Sequence, residues 1–335
     1  LPIMSAIVRS GWPDSPKRPL TKESYEVRVV AIGGGTGLSV LLRGLKSSDV
    51  DIVAVVTVGD DGGSSGRLRR ELGLLPPGDF RSCIASLADN EALMTQLLQY
   101  RFSDGSLGGH ALGNLLLAAM VNVTGSFEQA VLETSRILNI RGRIMPSTLE
   151  SVSVCAEVIC GEDAVGPRAR TVRGESNVGK AGPGIRRVFL EPDTAPAYPG
   201  AVSAILKADL IVLGPGSLYT SILPNLLVPG LREAVRASSA LKIYVCNVAT
   251  QPGETDGYTV EGHAAAIEYN AGFGLFQYVL ANCCWPSAAS VSYVYPGQEH
   301  RGAYAVVLAD LVDEKRSWRH DSAKLGAALI DFVRG

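Results

Sequence analysis

Short apolar runs recur along this chain, and most of them stop at glycine or at a polar cluster. Residues 27–32 (VRVVAI) are almost continuously apolar and end at Gly33. So little polar alternation predicts a strand buried on both faces, the usual condition of a parallel sheet. Residues 38–45 follow with helical apolar spacing, and residues 52–58 repeat the buried-strand pattern. Strand, glycine loop, helix, strand is a βαβ unit, whose crossover is expected to be right-handed. Helical periodicity then dominates, with helices predicted over 80–87, 91–102, 111–122 and 127–138, and a strand over 152–159. Between 161 and 187 glycine and arginine are frequent and periodicity is weak, which predicts short strands and turns. Further on, helices over 202–206, 232–238, 261–270 and 321–333 alternate with strand patterns over 210–213, 242–247, 278–281 and 305–311. The alternation predicts an α/β fold: one Rossmann-like, doubly wound, mostly parallel sheet. It is expected to fill residues 25–335 as one domain, with a helical insert over about 80–140 and a small lobe over about 160–190. Residues 1–24, which hold Pro13, Pro16 and Pro19, are expected to form a flexible leader.

Composition narrows the function classes. Hydrophobic residues make up 46% and charged residues 19% of 335, enough for a sizeable core. The net charge of −2 supplies no bulk basic field for nucleic acid or an anionic membrane. No apolar run reaches the roughly 20 residues of a membrane span. None of the six cysteines forms a C-x-x-C pair, which suits buried thiols in a reducing compartment, and the four histidines lack metal-ligand spacing. Glycine is abundant at 37 residues, and much of the excess sits in four clusters.

The first cluster, Gly33-Gly34-Gly35-Thr36-Gly37-Leu38-Ser39, lies between a strand and a helix. Glycines let the backbone approach a phosphate, and a helix N-terminus offers free N–H groups and positive potential. Leu38 occupies the last glycine of a G-x-G-x-x-G fingerprint, and no Gly-Lys-Ser/Thr closes a P-loop, so the loop is of neither common kind. The second cluster runs from Gly59 to Arg67 and follows the second strand. Asp60 or Asp61 is suited to a sugar hydroxyl or a Mg²⁺ ion, Ser64 and Ser65 to phosphate, and Arg67 to a bidentate clamp. A solvated, helix-capping loop is the plainer reading of the same residues. The third, Gly108-Gly109-His110-Ala111-Leu112-Gly113-Asn114, opens an apolar helix; Asn114 is placed to reach a ligand, while a lone His110 more often has a structural role. The fourth, Gly214-Pro215-Gly216-Ser217, again follows a strand, with Asn225 close behind it. Beyond the next strand come Asn247, Thr250 and Gln251. Polar groups at several strand ends describe one crevice.

These residues together resemble the CofD-like superfamily, and more closely its YvcK branch, the gluconeogenesis factors. The matching runs are GGGTGLSVLLRGLK (33–46), DDGGSSGRLR (60–69), PPGDFRSCIASLAD (76–89), GHALGNLLLAAM (109–120), GPGSLYTSILPNLLV (214–228) and NVATQPGET (247–255), with Arg319-His320-Asp321 resembling a family ending. Residues 283–314 match poorly. The resemblance implies a Rossmann-like fold, a cytoplasmic location and binding of a UDP-sugar such as UDP-N-acetylglucosamine. It further implies a role linking carbon metabolism to cell-envelope synthesis and cell shape. The related 2-phospho-lactate transferases use Mg²⁺, for which Asp60 and Asp61 are the candidate ligands.

The ligand-binding residues expected on these grounds are Gly33, Gly34, Gly35, Thr36, Gly37, Leu38, Asp60, Asp61, Ser64, Ser65, Arg67, Asn114, Gly214, Gly216, Ser217, Asn225, Asn247, Thr250, Gln251 and Arg319. No Ser/His/Asp or Cys/His arrangement and no clear general base stands out, which favours a UDP-sugar-binding regulator. The alternative is a Mg²⁺-dependent, phosphate-linked group transferase; a nicotinamide dehydrogenase fails on the fingerprint. Expected partners are the UDP-sugar, a cytoplasmic enzyme of amino-sugar or envelope synthesis, and a second copy of the chain, with no nucleic acid and no membrane span.

Overall fold

The structure, a computed structural model, describes residues 26–89, 91–163, 166–181, 184–287, 291–297 and 302–334. The expected leader over 1–24 lies outside these residues. The chain opens with β1 (Val27–Gly33), α1 (Gly35–Lys46) and β2 (Val50–Val56), the βαβ unit expected from periodicity. Leu38, Leu41, Leu42 and Leu45 on α1 are fully buried, while Arg43 and Lys46 complement the dipole at its last turn.

Among the described residues, five α-helices and a short 3-10 turn (Gly105–Leu107) separate β2 from the next strand: α2 (Gly63–Leu72), α3 (Gly78–Leu87), α4 (Glu91–Gln99), α5 (Leu112–Thr124) and α6 (Phe127–Ile137). Helix α2 takes up most of the loop expected over residues 59–67. Gly62 in extended conformation starts it and Gly73, at φ +67°, ends it as a left-handed C-cap. Its Ser64, Ser65 and Leu68 are buried, so a polar, glycine-rich sequence makes a helix because its short side chains pack inward.

Strand β3 (Arg143–Pro146) follows, then an antiparallel sheet of β4 (Ser153–Asp163), β5 (Gly166–Arg173) and β6 (Ile185–Glu191), with α7 (Glu175–Val178) between β5 and β6. The short strands expected near 160–190 are therefore β5 and β6, and their partner β4 begins earlier. Val154, Val158 and Val188 turn one face of this sheet into the main core. The second half gives α8 (Pro199–Lys207), β7 (Leu210–Leu213), α9 (Leu223–Leu226), α10 (Pro229–Ala237), β8 (Leu241–Val245), α11 (Val260–Ala271), β9 (Tyr278–Asn282), β10 (Ala305–Ala309), a hairpin of β11 (Val312–Asp313) and β12 (Arg316–His320), and α12 (Ser322–Arg334).

The main sheet has seven strands in the order β10-β9-β8-β7-β1-β2-β3, and every neighbouring pair is parallel. From β1 the chain winds one way through β2 to β3. It then returns to β7 on the other side of β1 and winds away through β8, β9 and β10. The reversal between β1 and β7 is a topological switch point, where two neighbouring loops leave in opposite directions and open a crevice. Arg28 fixes this pairing: its backbone N–H and its guanidinium all donate to Asp209, 181 residues away, at 3.0 Å. Among the described residues, no single helix is long and apolar enough to cross a membrane.

Candidate functional site

The register pairs Ile32 with Leu213, so the glycine loops after β1 and β7 stand side by side at the carboxyl edge of the sheet. The Gly214 N–H donates to the Ile32 carbonyl at 2.8 Å. Gly35 has φ +61°, a left-handed conformation that turns the chain from strand into helix. A methyl group on Gly37 would strike the Pro215 carbonyl, so the absence of a side chain there is what lets the loops touch. Gly34, the N-cap of α1, has no side-chain cap of its own; the Gly35 N–H goes to Asp79, and the amides that follow it in the first turn are the ones an anion can use.

A cleft of about 820 Å³ opens above this junction. Of the residues expected from sequence, it is lined by Gly34, Gly35, Thr36, Gly37, Gly216, Ser217, Asn247, Thr250, Gln251 and Arg319. Sequence reading missed Lys180 and Ser176, which α7 and its flank bring over from the small antiparallel sheet, and Trp318, 55% exposed on the hairpin strand β12. A basic residue and an exposed tryptophan in irregular or short elements carry no periodic signal. A second hollow, of about 490 Å³ between α6 and β3, contains none of the glycine loops.

Several polar side chains at the cleft hold the loops in place. The Asn247 amide clamps Gly216, accepting from its N–H at 3.3 Å and donating to its carbonyl at 2.9 Å. The Ser217 hydroxyl donates to Glu254 at 2.6 Å and accepts from the Thr220 N–H at 3.2 Å, capping the turn that follows. Burial raises the pKa of Glu254, and the Ser217 hydrogen bond opposes that rise. His320 is buried and its Nε2 lies 3.1 Å from the Cys246 carbonyl. Burial lowers its pKa to about 4, so it is neutral near pH 7 with Nε2–H donating to that carbonyl.

Behind the first loop sits an acidic cluster. Asp79, at the first turn of α3, accepts the Gly35 N–H, and burial raises its pKa to about 6. Glu175 on α7 is hydrogen-bonded to Asp60; burial first, then the neighbouring Asp60 and Asp79, push its pKa up to about 9. Glu175 is thus protonated at neutral pH. The Mg²⁺ ligands expected at Asp60 and Asp61 diverge: Asp60 accepts the Gly62 N–H and Asp61 the Ser176 N–H, each at 2.9 Å. Among the described residues, no group of three or more His, Cys, Asp or Glu side chains has the arrangement of a metal site. Each of the two carboxylates has one oxygen, Oδ1, taken by a backbone N–H.

The structure groups the remaining expected residues elsewhere. Gly33 is the last residue of β1 and Leu38 is fully buried in the core. Gly214 lies under the second loop, where its added methyl would meet Ile222. Asn225 is fully buried and donates to the carbonyls of Gly33 at 3.0 Å and Ser221 at 2.7 Å, pinning the strand end from below. Ser64, Ser65 and Asn114 meet one another between α2 and α5: the Asn114 amide donates to Ser64 at 3.0 Å and to Ser65 at 3.5 Å. Ser64 also accepts the Ala111 N–H, which leaves its own proton for Nδ1 of His110 at 3.1 Å. Arg67 does not line the cleft, and its guanidinium donates to the Gly108 carbonyl at 2.8 Å. The second and third sequence clusters therefore bind each other, joining two helices, because the serines of α2 face inward.

A family model described as 2-phospho-L-lactate transferase CofD matches residues 29–321. The chain is 54% identical over 316 residues to a protein named gluconeogenesis factor from Halalkalibacterium halodurans, covering 90% of this chain and 95% of that one. It is 46% identical over 320 residues to the gluconeogenesis factor of Bacillus subtilis, covering 92% and 98%. A crystal structure of a Bacillus halodurans protein of the UPF0052 family superposes with a TM-score of 0.82 at 42% identity, covering 92% of this chain and 100% of that one.

Proposed function

Because this chain belongs to the CofD family and to its gluconeogenesis-factor branch, we propose that it is a cytoplasmic regulator that binds a UDP-sugar, UDP-N-acetylglucosamine first among them. Through that ligand it links carbon metabolism to envelope synthesis and cell shape. The observation that carries this reading is the meeting of two glycine loops and the N-terminus of α1 at one switch-point cleft. Backbone N–H groups at a helix N-terminus suit a diphosphate, and Lys180 and Arg319 supply the cations that such a group needs. Trp318 offers a ring face for a nucleobase or sugar. The cleft volume falls in the range of about 300–1,000 Å³ usual for small-molecule sites. Asn247, Ser217 and Glu254 act in this scheme as positioning residues that keep the second loop rigid.

Calorimetry and thermal shift with UDP-N-acetylglucosamine test the proposal. A ligand at a hundredfold excess over its Kd stabilises by about 2.7 kcal/mol. UDP-N-acetylglucosamine is expected to raise the midpoint and to be recovered intact after long incubation with Mg²⁺. Absence of any shift with UDP-N-acetylglucosamine, UDP-glucose and UDP would overturn the reading. The acidic cluster beside Gly35 favours one second reading, group transfer, in which protonated Glu175 has a proton to give to a leaving group. Steady, protein-dependent release of UDP or UMP, lost in Glu175→Gln, would establish it.

A further inference from the structure

Cys283 and Cys284 stand side by side where β9 ends, in the 283–314 stretch that matches the family runs poorly. Their Sγ atoms are 3.3 Å apart, and solvent reaches both: Cys283 is half-buried and Cys284 exposed. The other four cysteines differ. Cys83, Cys155 and Cys246 are buried, and Cys160 is exposed but has the Arg168 carbonyl, not a thiol, beside its sulfur at 3.5 Å. The backbone around the pair is held on both sides. The Cys283 N–H donates to the Ala309 carbonyl at 2.9 Å, the Asn282 amide donates to the Cys284 carbonyl, and Oδ1 of the same Asn282 accepts the Leu311 N–H at 3.0 Å. The Leu311 carbonyl accepts the Asp321 N–H at 2.7 Å, closing the base of the hairpin that carries Trp318 and Arg319 to the cleft. Trp285, the next residue, packs its ring 4.8 Å from that of Tyr295 and joins a small core of Val248, Tyr293 and Val312 that is separate from the main one. Val248 lines the cleft.

We infer that the Cys283-Cys284 pair is a reversible oxidation site, closed to a vicinal disulfide by a hydroperoxide, and that closure loosens the outer wall of the cleft. Cys284, the more exposed sulfur, attacks the terminal oxygen of hydrogen peroxide. The O–O bond breaks, the departing oxygen takes the thiol proton and leaves as water, and Cys284 becomes a sulfenic acid. Burial first, then the neighbouring Cys284, push the Cys283 pKa up to about 11, so Cys283 waits as the thiol. Its Sγ then attacks the Cys284 Sγ, the S–O bond breaks, and a second water carries off the Cys283 proton. The two thiols give up two electrons and two protons, and the peroxide is reduced to two waters. Closing the bond changes the local shape. An S–S bond is about 2.05 Å long, so the sulfurs approach by more than an ångström. Adjacent Cα atoms are only about 3.8 Å apart, below the usual span of a disulfide, so the peptide unit between the two residues must turn. That unit lies between the Ala309 and Asn282 anchors, and turning it pulls on both. Neither step depends on what the cleft binds.

Treatment of the full chain with hydrogen peroxide, followed by alkylation, digestion and mass spectrometry, tests the chemistry. The peptide holding Cys283 and Cys284 is expected to lose two hydrogens and to escape alkylation until dithiothreitol restores both thiols. Cys283→Ser should stop at a Cys284 sulfenic acid that dimedone traps, and Cys284→Ser should react about tenfold more slowly. Cys160→Ser should oxidise like the parent. Sulfinic acid at Cys284 in place of the disulfide, or oxidation of Cys160 ahead of the pair, overturns the inference. Hydrogen exchange on the ligand-free protein tests the link to the cleft. The Leu311 amide and those of β12 should exchange about tenfold faster in the oxidised chain, and dithiothreitol should reverse the change. Identical exchange in the oxidised and reduced chains overturns the link.

Discussion

Replacing Gly37 with alanine separates a shared site from two neighbouring turns. Gly37 is the third residue of α1, and inside a helix alanine is favoured over glycine by about 1 kcal/mol. On an exposed helix the change would stabilise. Here the new methyl would overlap the Pro215 carbonyl and lie 2.8 Å from the Gly216 Cα. Its nearest neighbours are all backbone atoms, so no side chain can swing aside. The second loop is also tied down, by Asn247 on Gly216 and by the Gly214 N–H on the Ile32 carbonyl. Relief therefore requires the loops to part. Overpacking of this kind costs about 1–3 kcal/mol, which outweighs the helix gain and leaves a net loss of up to about 2 kcal/mol. For a protein of this size that lowers the melting temperature by only a few degrees. The effect on ligand should be larger. Parting the loops removes one or two charge-assisted hydrogen bonds to a diphosphate, worth about 1.5–3 kcal/mol, or ten- to a hundredfold in affinity. Calorimetric titration of UDP-N-acetylglucosamine, beside a ligand-free melt, reads both quantities. A variant that melts higher and binds as tightly as the parent would refute the shared-site reasoning.

Arg319→Ala removes a cation lining the cleft and should weaken UDP-sugar binding by about ten- to a hundredfold with little change in melting temperature, measured by the same titration. Arg67→Ala should leave affinity within about twofold, because its guanidinium serves the Gly108 carbonyl; a large loss would put the ligand against α2. Glu175 carries a sign that a melt can read. Its folded pKa, about 9, lies above the ordinary 4.5, so the folded state holds its proton and loses stability as pH rises from about 4.5 to about 9. Glu175→Gln, fixed in the neutral state, should therefore raise the midpoint more at pH 8 than at pH 5, and an equal rise at both would show that Glu175 is ionised in the fold.

The amino-acid sequence by itself determined the local elements. Residues 210–213 were legible as a strand and match β7 residue for residue, because an uninterrupted apolar run bounded by glycine admits little else. The helices over 80–138 were legible from their period, and the first and fourth glycine loops from their place after strands. Strand β3 (RIMP) and the hairpin of β11 and β12 were not, because arginine, proline and other polar positions leave them no uninterrupted apolar run. Which polar clusters meet was decided only by the tertiary structure. All four look alike as local sequence, with small residues flanking a buried element. The pairing of β1 with β7, across 181 residues, put the first and fourth loops on one cleft. The inward turn of Ser64 and Ser65 sent the second cluster to Asn114 and His110 instead. Lys180, Glu175 and Trp318 reached the crevice from the antiparallel sheet and the hairpin, which no nearby residue announces. Periodicity and backbone freedom act over a few residues and can be read along the chain. The order of strands is set by burying their apolar faces together, and that depends on residues far apart in it.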